Sequence, residues 1–152
     1  MSALPDAFDV QVRRAREQFA DPQELALELV AQLKALPFWR FLNVGTKEEP
    51  LPLAVEHEGE TLLVLFSGPD RADDYSQALG RRQKNDPLPL IEIPTKAAIP
   101  WCLEWKAQGV QGLLVNPGAF GFVLGFGVLQ KFLEARMLSL KTRPRYPAAK
   151  TL

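Results

Sequence analysis

The run Gly112-Leu113-Leu114-Val115-Asn116-Pro117-Gly118 joins an uninterrupted apolar stretch to three residues that each favour a turn. Asn bonds readily to its own backbone two residues on, Pro fixes its own φ, and Gly accepts a positive φ. A short apolar run with no polar alternation, stopped this abruptly, is the pattern of a buried strand entering a tight turn. Such a strand must be covered by other elements, and 152 residues supply enough chain for one domain.

The composition narrows the class. Hydrophobic residues make up 47% of the chain, enough for a packed core rather than a disordered polymer. Eighteen basic residues balance eighteen acidic ones, so the formal net charge is zero. That balance lacks the electrostatic footprint of a nucleic-acid binder and the excess charge that draws a protein to anionic lipid. Cys102 is the only cysteine, so no intrachain disulfide can form, which fits a reducing compartment. The opening residues Met1 to Asp6 carry neither a basic nor an apolar segment of secretory type. The most apolar stretch, 112–129, is broken by Asn116, Pro117 and several glycines and is no spanning helix. A cytoplasmic protein without a membrane anchor is expected.

Along the chain, Leu4, Phe8, Val12, Ala15 and Phe19 recur at helical spacing, with Asp6 as cap. Asp21-Pro22-Gln23-Glu24 restarts the pattern with a capping box, Leu25, Leu29, Leu33 and Leu36 form the stripe, and Pro37 ends it. Residues 38–44 read as a strand. Residues 51–56 and 61–66 read as a hairpin around His57-Glu58-Gly59-Glu60. A helix follows from Pro69 to about Leu79, with Ser67 or Asp70 as cap. Residues 81–86 form a polar loop, 88–93 a strand, and 95–108 a helix ended by Gly109. Strands over 110–115 and 120–124 and a last helix from Val128 to Arg136 complete the order. The result is an α/β or α+β domain over 1–140: a mixed sheet of about five strands flanked by helices, with an extra N-terminal helix. Residues 141–152 form a basic tail, expected to be flexible.

Three segments carry a resemblance. They are Phe38-Trp39-Arg40-Phe41-Leu42-Asn43-Val44, then Leu62-Leu63-Val64-Leu65-Phe66-Ser67 ahead of an acidic helix start, and Gly112 to Gly118. Together, over roughly residues 24–136, they resemble the SseB-like domain family, small bacterial domains named after a protein linked to enhanced serine sensitivity. The resemblance implies a compact α/β fold and brings no catalytic set with it. The N-terminal helix, the glycine-rich segment 120–127 and the basic tail depart from the family pattern.

No other constellation outweighs its plain explanation. Gly118, Gly121, Gly125 and Gly127 lack the spacing and the Lys-Ser/Thr of phosphate loops, and phenylalanines stand between them. His57 is the only histidine, beside Glu56, Glu58 and Glu60 at a hairpin tip, and a zinc site needs more ligands than it and Cys102 supply. Cys102 follows Trp101 on a helix and reads as a buried thiol. Asp70, Asp73 and Asp74 suit a helix start through its dipole. The basic segments 81–84 and 141–150 read as solvated loop and tail. No catalytic residue, metal ligand or cofactor is therefore assigned.

Two sets remain. Asn116, Pro117 and Gly118 form a turn at a strand end, where α/β folds place ligands. Trp101, Trp105, Phe120 and Phe122 offer apolar rings of the kind enriched at protein interfaces. The leading expectation is a non-catalytic binding or regulatory module that contacts a protein partner or a second copy of itself. The alternative is a small-molecule-binding protein or an enzyme with its site at the strand ends near Asn116 and Ser67.

Overall fold

The computed structural model describes residues 7–80, 87–118 and 121–142, with side chains described as far as Ala135. The expected Asp6 cap, the loop 81–86, Phe120 and the tail beyond Thr142 lie outside those residues. In chain order the elements are α1 (Ala7–Gln18), α2 (Pro22–Lys34), β1 (Phe38–Leu42), β2 (Ala54–His57), β3 (Glu60–Phe66) and α3 (Pro69–Ala78). They continue with β4 (Leu90–Pro94), α4 (Thr95–Leu103), β5 (Gly112–Val115), β6 (Phe122–Gly125) and α5 (Phe126–Thr142). Among the described residues, no helix is long and apolar enough to cross a membrane.

The sheet is mixed, ordered β4-β1-β3-β5-β6, with β2 paired to the start of β3. Among the described residues, β3 and β5 are the only neighbouring strands that run parallel, with Leu62 opposite Gly112 and Leu65 opposite Val115. Parallel neighbours need a crossover. Here the chain leaves β3 through α3 to the far edge at β4, then returns through α4 to β5. The two crossings run in opposite directions, so a common right hand puts their helices on opposite faces. The core obeys this. Ile99 and Cys102 of α4 join Trp39, Phe41, Leu63, Leu65, Leu113 and Val115 on one face, together with residues of α1, α2 and α5. Ala72 and Tyr75 of α3 pack with Leu42, Val64 and Phe66 on the other. The sheet therefore has a crowded face under four helices and a more open face under one.

Local chemistry explains the boundaries. Asp21 caps α2 by accepting from the Glu24 N–H at 2.9 Å, with Pro22 in the first turn. Trp39, with no exposed surface, donates its indole N–H to the Leu33 carbonyl at 2.9 Å and ties the end of α2 to β1. The β2–β3 hairpin turns on Glu58 and Gly59, both at positive φ as a type I′ turn requires.

Several expected bounds shift for identifiable reasons. β2 begins at Ala54 rather than residue 51, because Asn43 bridges to Pro52 and its Oδ1 accepts from the Gly45 and Leu51 N–H groups. The helix expected over 95–108 is α-helical only to Leu103, then tightens into a 3₁₀ turn over Glu104–Gln108. Gly109 at φ +91° ends it. α3 is capped by Gly68 with no side-chain bond, neither by Ser67 nor by Asp70. The last helix starts at Phe126, directly off β6.

Gly112 and Gly125 face each other across β5 and β6, and only one tolerates a side chain. A Cβ on Gly112 would sit 2.5 Å from the Leu124 carbonyl oxygen and 3.0 Å from the Gly125 Cα, whereas a Cβ on Gly125 meets nothing within 4 Å. Gly112→Ala is expected to lower unfolding free energy by roughly 1–3 kcal/mol, as overpacking does. Gly125→Ala should stay within about 0.5 kcal/mol of the parent. Urea denaturation of the two variants checks the contrast.

Candidate functional site

The C-terminal ends of β3 and β5 lie side by side, and the chain leaves them in different directions. A crevice outside such strand ends is the usual ligand position in α/β sheets. Here it is filled by the protein's own groups. Asn116 is 1% exposed and sits at φ +48°, a left-handed conformation that asparagine adopts more easily than most residues. Its Oδ1 accepts from the Ser67 N–H at 3.0 Å, and its Nδ2 donates to the Ser67 Oγ at 2.9 Å. Ser67 is thus spent on the neighbouring strand end, which is why it does not cap α3.

Other side chains close around this clamp. Arg40, on β1, donates from Nε to Glu92 at 2.8 Å and from Nη1 to the Ser67 carbonyl at 3.4 Å. Asp9 of α1 is 1% exposed and forms an ion pair with Arg71 of α3. Arg16 of α1 donates to the Gly121 carbonyl at 3.0 Å, and Phe8 stacks on Phe122 with centroids 6.3 Å apart. Of the predicted turn, Asn116 points inward, Pro117 is half-buried, and Gly118 is exposed at φ +136°. The three residues do share one turn, and the asparagine's polar groups bond within the fold.

The predicted rings divide. Trp101 and Trp105 meet edge to face at 5.9 Å, and Trp101 lies 4.9 Å from Phe41, so the pair is half-buried against the crowded-face core. Phe122 is 7% exposed and turned into the same core. The exposed apolar residue of β6 is instead Val123, 40% exposed on the open face. Strand alternation would have separated the two, since neighbours on a strand face opposite ways.

Beside the end of β6 lies an open groove of about 450 Å³. Pro22, Ala26 and Leu27 of α2 form one wall, and Gly127, Val128 and Lys131 of α5 another. His57 sits at the hairpin, 3.5 Å from Glu58, while Cys102 is fully buried in α4, so the structure does not bring the two together. Burial pushes the Cys102 thiol far above its ordinary pKa. Among the described residues, no three His, Cys, Asp or Glu side chains gather as a metal site requires.

Asp9 escaped notice from sequence although its signal was there: it falls three residues before Val12, on the buried stripe of α1. An acidic residue on an apolar stripe calls for a basic partner. No protein-family model, curated protein or solved structure matches the chain.

Asn116→Ala is expected to destabilise by roughly 2–4 kcal/mol, combining a lost partner for the Ser67 N–H with a left-handed alanine. Ser67→Ala should cost about 1–3 kcal/mol, because the bond to the Ser67 N–H survives but the buried Asn116 Nδ2 loses its acceptor. Thermal or urea unfolding of both single variants and the double variant measures the coupling. Cys102 should react with a thiol reagent only as fast as the protein unfolds, since a buried neutral thiol is inert. Labelling rates that rise in step with denaturant-induced unfolding are the expected result.

Proposed function

We propose that this chain is a cytoplasmic binding or regulatory module of the SseB-like type, working through protein–protein contacts rather than catalysis. The observation that carries the reading is where the molecule leaves chemistry unspent. At the strand ends, Asn116, Ser67, Arg40, Arg16 and the Asp9–Arg71 pair bond to one another or to backbone carbonyls. In the groove beside the end of β6, by contrast, Pro22, Ala26 and Leu27 of α2 and Val128 of α5 present apolar surface to solvent, and Val123 does so on the opposite face of the sheet. Exposed apolar surface next to a groove marks interaction sites more often than chemistry.

The resemblance to SseB-like domains supports the same reading, as does the fit of the α/β architecture to the family's expected fold. The small-molecule alternative at Asn116 and Ser67 is disfavoured because a ligand entering there would have to break the clamp. A reducing compartment is consistent with one cysteine held as a buried thiol.

Affinity capture with the full chain as bait, in parallel with a Leu27→Glu variant, tests the proposal. The expected outcome is a reproducible partner retained by the parent and lost from the variant, both baits being folded by circular dichroism. Retention of nothing beyond background by the parent would overturn it. So would a metabolite that stabilises the parent and fails to stabilise Ser67→Ala.

A further inference from the structure

The sheet ends in two edges, and they are defended differently. At the β4 edge, Asn43 donates to the Pro89 carbonyl and Thr95 to the Pro37 carbonyl. With Phe41 opposite Ile91, the odd-numbered residues of β4 therefore address β1, leaving Glu92 and Pro94 to face outward. Pro94 has no N–H to offer, and Glu92 adds a charge. Arg40 already holds the Glu92 carboxylate at 2.8 Å, so a second strand docking here would crowd that ion pair. This edge is closed to a second copy.

The β6 edge has the opposite character. Asn116 donates to the Leu65 carbonyl of β3, while the Gln111 carbonyl accepts from Phe126 at the end of β6. Even-numbered residues of β5 therefore address β3, and odd-numbered ones address β6. Leu113 is opposite Leu124 and Val115 is opposite Phe122, so those two residues of β6 bond to β5. Val123 between them directs its N–H and C=O outward, past the last strand in the sheet order. The strand Phe122–Gly125 carries no charge and no proline.

We propose that β6 pairs antiparallel with β6 of a second copy of this chain, about a two-fold axis through Val123. The register is self-consistent. Val123 meets Val123 of the second copy, and Phe122 meets its Leu124, so every facing pair lies on the same face of the joined sheet. Val123 directs both main-chain groups outward, which makes the central pair a hydrogen-bonded one with two reciprocal bonds. On the open face the two exposed valines cover each other beside the half-buried Leu114. β6 itself carries no charge, and the nearby Arg16 on the Gly121 carbonyl lies two residues from the axis, so a second copy meets this edge without like charges in register.

This pairing rests on the protein-binding reading and names one partner for it. The contact is short, well under the ~1,000 Å² of a stable interface, so a weak dimer in rapid exchange is expected. Sedimentation velocity of the purified full chain, from about 10 μM to about 1 mM, should show dimers at the upper concentrations. Val123→Lys should raise the dissociation constant at least roughly tenfold by opposing like charges across the axis. Val123→Thr, which keeps the β-branch, should retain the dimer and so control for loss of fold.

A parent that stays monomeric at about 1 mM overturns the pairing. A dimer that Val123→Lys leaves unchanged, with the variant folded by circular dichroism, overturns it equally. Either result, with the Leu27-dependent partner still captured, removes the self-pairing and leaves the binding-module reading in place. Loss of that capture as well removes both.

Discussion

The parallel pairing of β3 with β5 is the constraint on which the rest of the structure depends. Among the described residues it is the only parallel ladder, and its partners are separated by the whole of α3, β4 and α4. Closing so long a loop is entropically unfavourable before any contact offsets it. What offsets it is burial. Leu63, Val64, Leu65, Leu113 and Val115 have at most 1% of their surface exposed, which demands helices on both faces. The Asn116–Ser67 clamp then fastens the two strand ends across 49 residues of sequence. A slip of β5 by one residue would exchange its faces and pull Asn116 away from Ser67, so the clamp and the core specify the same register.

From that pairing the asymmetry of the two faces follows. Two crossings in opposite directions supply one helix to each face, and α1, α2 and α5 all add to the same side. Among the described residues the open face has only α3, which packs chiefly on β1 and β3. Leu114 and Val123 keep partial exposure for this reason, whereas Phe122 and Leu124 are buried on the same strand. The apolar surface near β6 is thus a consequence of topology, and a binding role would be built on it at little structural cost.

How much of this the residues announced depends on range. Local rules were legible: Asp21 with Pro22 and Glu24 gave a capped helix, Glu58-Gly59 gave a hairpin turn, and Gly112 to Gly118 gave a strand and its turn. Long-range hydrogen bonds were not. Ser67 is a good helix cap by local preference, and nothing near it in sequence shows that a side chain from residue 116 will claim it first. Trp101 and Trp105 were legible as one helix face, but which neighbour shields them depends on Phe41 arriving from a distant strand. Phe122 and Val123 were separable by strand alternation alone, since neighbours on a strand face opposite ways.

The Asp9–Arg71 pair shows why the strand ends and the β6 edge should be considered together. Burying two opposite charges yields little net stability, since desolvation offsets most of their attraction. Its effect is positional: an acidic residue at 1% exposure admits only placements of α1 that bring it to Arg71. That fixes α1 across the strand ends, with Arg16 on the Gly121 carbonyl and Phe8 on Phe122. The N-terminal helix therefore packs beside the strand ends, where α/β folds usually place ligands. By the same contacts it steadies the residues leading into β6. One docking of α1 thus engages the strand ends and braces Gly121 and Phe122 beside the β6 edge.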